Sequence, residues 1–513
     1  MSAGVLDLLY PRLVVEESSG GHSTFEPWLA RSWEFSADRL RLIFHLRDDA
    51  FWSDGVPVTC EDVRFTHRIQ VADELAWPGA FLKDRILRVE CADEETAVFH
   101  FTEAYAGQLL DANDDAIVPS AYGAVPLAEW SATVWEERIR SCGPLRLVSV
   151  VPGQEAVLER DPAWWDAGRA GLDRVVLRTY ADETGVLQRF LGGEVDLVLK
   201  VPPLRSAEVA GRAELRLEQL PSLSYTFLGW NTLARGAYLR DRRARGCGES
   251  ERCRDSDADL LRLHREQPHP VLGDAAVRRA LTQAIDRRDI VEGLWAGHAR
   301  VGSSPIVSAL WAHDPDAGLA FDPSSAKESL DRAGWLDGDG DGVRERGANR
   351  MEIGVIVSAD NQLRRDVLER VTASLARVGV RLVPEPLPRA EFVARARDKD
   401  FDAVCVGWWA GTRIEPQNLL HGHAALDRGN NFGGWSTPES DALLDRAARA
   451  ATREDALPLW RQWQAIFREE QPLTILYEEQ RLLGLRAEVR APALNFLNPF
   501  QNLHEWSIRP QDR

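Results

Sequence analysis

Leu40, Leu42, Phe44 and Leu46 alternate with polar or charged neighbours, broken only at Ile43, and this period of two predicts a half-buried strand. Residues 89–101 (VECADEETAVFHF) read as two short strands about an acidic turn. Between these stretches Thr59 is placed as a helix cap with Asp62 three residues on, so a helix is expected to start there. A second β-rich stretch covers 145–199, broken at Pro152-Gly153 and by a helix around 184–191.

The period changes in the second half. Val277, Ala280, Leu281, Ala284 and Ile285 share one helical face behind Asp274 as cap. Asp322-Pro323 opens a helix that ends near Gly334, with proline at the first position. Residues 351–358 predict a strand, and Leu363, Val367, Val371, Leu375 and Val378 the stripe of a following helix. A strand at 380–383, a helix at 389–397 and a buried strand at 401–407 (FDAVCVG) come next. That alternation argues for a parallel sheet with right-handed crossovers. Residues 443–467 are helical and 472–476 a strand, so the carboxy-terminal half reads as α/β and the amino-terminal half as mostly β. Residues 241–267 are dense in Arg, Asp, Glu and Ser, and predict an exposed insertion with little to bury.

A chain of 513 residues exceeds one core, so two or more lobes are expected. With 62 basic against 80 acidic residues the net charge is −18, which repels phosphate backbones and argues against a nucleic-acid partner. The sequence has no apolar run of the roughly 18 residues a membrane-spanning helix needs. Residues 1–9 (MSAGVLDLL) carry neither a basic leader nor a long apolar stretch. None of the six cysteines (60, 91, 142, 247, 253 and 405) forms a C-x-x-C pair, so zinc-ribbon and thioredoxin-like readings fail. Cys247 and Cys253 are placed to close a small loop by a disulfide, with free thiols as the alternative.

Chemistry-bearing motifs are sparse. There is no G-x-S-x-G, H-E-x-x-H or phosphate-cradling loop, and no spacing defines a glycosidase carboxylate pair. His421 and His423 lie two apart without further ligands in view, which favours no metal. Asp337, Asp339 and Asp341 alternate with glycines as in a calcium loop. The bidentate Glu at the twelfth position is missing, with Ala348 or Arg350 standing there. A turn is the better reading, a weak calcium site the alternative. No cofactor is expected.

Several phrases occur in order: PWLARSWE (27–34), FHLR (44–47), WSDGVPVT (52–59), EDV (61–63), LERDPAWW (158–165), GEVDL (193–197), VRRALTQAIDRRDI (277–290), DGDGDGVR (337–344) and FDAVCVGW (401–408). Together they resemble the bacterial extracellular solute-binding proteins of family 5, the oligopeptide- and dipeptide-type binding components of ABC importers. The resemblance implies an α/β, two-lobe periplasmic-binding-protein-like fold (type II, large cluster C form) with an extra β-rich subdomain. Residues 1–140 would form that subdomain and the start of lobe I, 141–228 with 484–513 the rest of lobe I, and 229–483 lobe II, including the insertion at 241–267. Hinge crossings are expected near 227–231 and 477–484, with the ligand between closing lobes. The family begins with a leader and a first strand ahead of the segment matching Leu8-Leu9-Tyr10; this sequence lacks that stretch, as a misassigned start or a trimmed chain would.

By the same resemblance the protein is a non-enzymatic, extracytoplasmic (periplasmic or cell-surface) monomer that delivers its ligand to membrane permease subunits. The strand at 401–407 runs into Trp408, Trp409, Gly411, Arg413 and Glu415, and loops leaving a parallel strand's carboxyl end form the ligand crevice of open α/β sheets. In peptide binders an aspartate in this loop holds the ligand's α-ammonium. Gly411 stands at that place here, so Glu415 would substitute, whereas Arg413 would favour an anion. Asn431 and Trp435 match a segment near the cleft, and Trp230 and Asn231 lie at the first hinge. The expected ligands are oligopeptides or related small polar solutes. With 18 tryptophans available for stacking, an oligosaccharide is the alternative. An intracellular ligand-sensing regulator on the same fold and a glycoside-active enzyme are the remaining readings.

Overall fold

The alternation at 40–46 becomes the strand Arg41–Leu46, with Leu42, Phe44 and Leu46 fully buried. It sits second in an antiparallel sheet ordered Ala30–Phe35, Arg41–Leu46, Thr96–Phe101, Ile86–Cys91. The computed structural model describes residues 8–19, 22–75, 77, 79–130, 139–169, 171–247, 255–492 and 494–509. The chain divides into two units, residues 1–220 with 481–513 and residues 221–480.

In the first unit the helix Cys60–Gln70 packs its buried Val63 and Phe65 into the core beside Phe44 and Phe99. Asp62 is the reason it starts where it does. Its carboxylate is 3% exposed and accepts the backbone N–H of Thr59 at 2.9 Å, the Trp52 indole N–H at 3.2 Å and the Ser120 N–H at 2.6 Å. The sequence pattern anticipated the Thr59–Asp62 relation; the other two donors come from distant segments. A three-stranded sheet follows, Leu145–Val151, Glu155–Arg160 and Arg174–Arg178, then the helix Glu183–Leu191 capped by Asp182. Trp28, Trp164, Trp165 and His504 form a ring cluster with centroids 5.2–5.9 Å apart.

Cys60 and Cys91, 31 positions apart, form a disulfide that ties the first residue of the helix to the last residue of the strand Ile86–Cys91. Sequence spacing did not single this pair out, because only the fold brings them together. Cys247 is disulfide-bonded; Cys253 lies outside the described residues. Cys142 and Cys405 are unbridged and buried.

In the second unit the strands run in the order Leu473–Arg486, Leu215–Trp230, Ala403–Trp409, Glu352–Ser358, Arg381–Leu387. The last three are parallel, as their alternation with helices predicts. Leu215–Trp230 pairs antiparallel with Ala403–Trp409, so the sheet is mixed rather than parallel throughout. Val277, Leu281, Val355, Val371 and Cys405 share the core against one face of the sheet. Asp274 caps the helix Ala275–Ala284, and Asp322 caps Pro323–Arg332, as their positions imply.

The segment expected as an exposed insertion is built differently where it is described. Ala237–Ala244 and Asp257–Glu266 are helices, and Leu260 and Leu263 pack with Leu233, Tyr238 and Ala425. Part of the charge is buried and paired: Arg242, 2% exposed, donates to Asp255 at 2.6 Å, while part-exposed Arg245 bridges Asp241 and Asp255 and Arg262 reaches Asp241. Charge density reads as solvation in a sequence; here mutual pairing lets the segment fold onto the sheet's neighbours.

Beneath this network the Lys399 ammonium is fully buried, 4.4 Å from the centre of the Tyr238 ring. Burial disfavours its charged form and brings its pKa down from 10.5 to about 7, despite the pull of Asp255 and Asp398.

Two outcomes are expected from these features. Cys60→Ser with Cys91→Ser, or reduction, lowers the first unit's unfolding free energy by about 3.7 kcal/mol, from the loop-closure entropy of a 31-residue loop; denaturant titration with and without reductant measures it. A lysine with a depressed native pKa sheds its proton on folding between about pH 7 and 10.5, so its contribution makes stability rise with pH over that window, its cost being complete below pH 7. Lys399→Met flattens that rise, as thermal denaturation at pH 7, 8.5 and 10 reads out.

Candidate functional site

The site begins with strand register. Leu215–Trp230 pairs with Ala403–Trp409 so that Tyr225 lies opposite Trp408 and Ser224 opposite Trp409. Val404 and Val406 pack on the sheet face that also holds Phe392 and Phe401, while Ala403 and Cys405 face the larger core. Side-chain alternation therefore gives Trp408 and Trp409 opposite faces. Pairing continues one residue past the strand, where the Ala410 N–H donates to Leu223 O at 2.9 Å. Gly411 then takes φ +70°, a left-handed conformation that turns the chain and that glycine adopts without a Cβ penalty. A Cβ here would lie 3.3 Å from the Trp409 ring.

Past this turn, Arg413, Ile414, Glu415 and Pro416 curl back toward Trp408. With Tyr225, Leu419 and a second segment contributing Pro305, Ile306 and Leu310, they line a small open recess within the second unit. Its lining mixes aromatic and aliphatic side chains with polar groups. Its polar groups are Arg413 and Glu415, whose Nη1 and Oε1 stand 3.3 Å apart with side chains 23% and 31% exposed. Asn418 donates to the other Glu415 oxygen at 3.5 Å. A part-exposed ion pair of this kind contributes little to stability. Aromatic and aliphatic side chains beside convergent polar groups are features of small-molecule sites.

Of the residues singled out from sequence, Trp408, Arg413 and Glu415 meet at this recess and Gly411 shapes its entrance turn. Trp409 stays 65% exposed and forms none of its walls. The other four are placed elsewhere, a correction with one physical cause: their polar atoms are spent inside the fold. Trp230 is fully buried and its indole N–H donates to Thr474 Oγ1 at 3.0 Å. The Asn231 amide donates to Lys399 O and Phe401 O and accepts from the Leu233 N–H. Asn431 donates to His421 O and Trp435 O, and the Trp435 indole reaches Glu470 at 3.3 Å. These residues brace the sheet's edge and the loop after it.

Sequence reading missed Tyr225, Ile306, Leu310 and Leu419, whose only signal was an apolar residue in a strand or loop. Arg364, outside the recess, lies against Gly407 on the face of the strand that carries Trp409. A Cβ at 407 would stand in contact with its guanidinium.

Two further candidates lie outside the recess. In the acidic turn, Asp337 accepts the N–H groups of Gly340 and Gly342, Glu345 accepts that of Gly338, and Arg350 pairs with Asp341. Asp337, Asp339 and Glu345 are the one group of three ligand-type side chains within 4.8 Å of one another among the described residues. The rings of His421 and His423 lie 4.0 Å apart, and His421 Nδ1 accepts the N–H of His423, capping a short helix. Among the described residues they gather no third ligand.

The sequence profile described as Bacterial extracellular solute-binding proteins, family 5 Middle matches residues 24–431. The oligopeptide-binding protein AppA of Bacillus subtilis is 21% identical over 461 residues, covering 88% of this chain and 78% of AppA. The peptide transport periplasmic protein SapA of Salmonella typhimurium is 23% identical over 499 residues, covering 93% and 82%. The structure of AppA from Bacillus subtilis in complex with a nonapeptide superposes with a TM-score of 0.70 at 20% identity, over 98% of this chain and 94% of that one. That likeness carries the two-lobe α/β fold, and a profile match across most of the sequence carries the ancestry. This chain belongs to the bacterial extracellular solute-binding proteins, family 5.

Proposed function

We propose that this protein is the extracytoplasmic binding component of an ABC importer, and that the recess beside Trp408 takes part of an oligopeptide or a related small polar solute. The observation that carries the reading is the convergence of Trp408, Tyr225, Arg413 and Glu415 at the carboxyl end of Ala403–Trp409, where open α/β sheets bind ligands. Relatives of similar length are an oligopeptide-binding and a peptide-transport protein, which supports peptides as the ligand class. The Cys60–Cys91 bridge supports an oxidising, extracytoplasmic compartment.

In this reading Trp408 and Tyr225 pack against an apolar portion of the ligand. Gly411 leaves the loop without the carboxylate that would hold a peptide ammonium, and Glu415 supplies one two turns of chain later. Arg413 pairs with a ligand carboxylate once released from Glu415. Capture is reversible and needs neither cofactor nor turnover, and the loaded monomer hands its solute to membrane permease subunits.

Native mass spectrometry of the purified protein, followed by denaturation and identification of what is released, tests the class. A peptide mixture supports the reading; a released oligosaccharide would instead assign Trp408 and Tyr225 to stacking on sugar faces. For whichever class is released, Trp408→Ala is expected to weaken binding at least tenfold, as truncation of a central aromatic anchor does. Glu415→Ala should select against ligands with a free ammonium and Arg413→Ala against those with a free carboxylate, by isothermal titration with blocked and unblocked peptides. Unchanged affinity in all three variants would sink the site assignment.

A further inference from the structure

We infer that Glu478 is a positioning residue for the recess: it holds in place the segment 304–314, whose Pro305, Ile306 and Leu310 form one wall. The inference rests on the recess being the ligand site. Glu478 belongs to the strand Leu473–Arg486, is 3% exposed and is not itself a lining residue. Its Oε2 accepts two hydrogen bonds from one residue of the wall segment, the Ser308 N–H at 3.1 Å and the Ser308 hydroxyl.

A carboxylate held this deep is expensive, and nothing in the binding chemistry above uses it. Burial pushes its pKa up; the Ser308 donors act against that, with weaker help from His313 and from Arg300, its cross-strand neighbour on Ala299–Arg300. What the carboxylate does is mechanical. The flanks of the segment are already tied to the helix Arg453–Glu470 through the fully buried Gln464. Its Oε1 accepts from Ser304 Oγ at 2.7 Å and from the Asp314 N–H at 3.2 Å, and its Nε2 donates to Ala312 O at 2.8 Å. Between those anchors the chain must bend to present Ile306 and Leu310, with a turn in which the Leu310 N–H reaches Val307 O. Ser308 sits in that turn. Glu478 therefore fixes the centre of a span that Gln464 fixes at both ends, and the distance of the wall from Trp408 follows from both.

The test uses the full chain, with hydrogen–deuterium exchange over 302–314 and retention of a tripeptide library read by native mass spectrometry. Glu478→Ala is expected to raise exchange at 306–310 and to weaken tripeptide retention, each by about tenfold, the scale of one buried hydrogen-bonded group. Glu478→Gln keeps an acceptor oxygen of the same shape and restores both readouts to within about twofold of the parent. Ser308→Ala leaves the strand untouched and moves both readouts the same way by less, which carries the test if Glu478→Ala unfolds the unit. Unchanged exchange in Glu478→Ala and Ser308→Ala, or a Gln variant as impaired as the Ala variant, would overturn the inference. Trp408→Ala run alongside separates the two ideas: intact retention there refutes the site, while the exchange data judge Glu478 on their own.

Discussion

The antiparallel pairing of Leu215–Trp230 with Ala403–Trp409 is the constraint on which the site depends. Seven residue pairs, from Ser224 with Trp409 to Trp230 with Ala403, lock one register. A slip of one residue would exchange the two faces, carrying Trp408 into the main core and Cys405 out of it. Tyr225 would then lose its aromatic partner across the strand and Gly407 its place beneath Arg364. The neighbours of this pair make a slip expensive. Trp230 is anchored to Thr474 by its indole, and Asn231 to the backbone of Lys399 and Phe401. Trp230 and Asn231 are thus fixings of the register that also sets Tyr225 opposite Trp408.

The second unit is unusual in how much of its loop geometry rests on buried polar side chains. Gln464, Glu478, Arg287 and Asn231 each carry hydrogen bonds that tie loop segments to the rest of the unit. Apolar packing fills volume but tolerates sliding; a buried donor or acceptor accepts one geometry and penalises the rest. A recess whose walls come from two separate segments, 304–310 and 408–419, needs such directional fixing, because no sheet hydrogen bonds cross from one wall to the other. The polar groups of the recess are built on the opposite principle. Arg413 and Glu415 are part-exposed and joined across 3.3 Å, a weaker tie than a buried one.

The two units divide the stabilising devices between them. The first relies on a mainly antiparallel β framework, an aromatic cluster about Trp28 and the Cys60–Cys91 bridge. The second relies on a parallel core with helices and on internally paired charges around Arg242 and Asp255. That pairing explains why a stretch dense in charge folds as two helices: the charges face one another across the helices and leave Leu260 and Leu263 to pack inward.

By itself the sequence determined whatever depends on residues close along the chain. Period-two and helical stripes located Arg41–Leu46, Ala275–Ala284, Glu352–Ser358 and Ala403–Trp409, and the Thr59–Asp62, Asp274 and Asp322 caps gave helix starts because a cap is a contact between neighbours. The ordered phrases from residue 27 to residue 408 were enough to recognise the family, and they marked the loop after Ala403–Trp409, which in the structure lines the recess. Tertiary structure alone decided which of the marked residues reach the recess. Trp408 and Trp409 are adjacent and chemically identical; alternation puts them on opposite faces, but only the pairing that sets Tyr225 opposite Trp408 decides which one reaches the recess. Cys60 found Cys91, and Ser308 found Glu478, across separations for which no local pattern exists. Contacts of that kind arise from strand register and loop closure, which depend on the whole unit's packing and leave no trace in any short window of sequence.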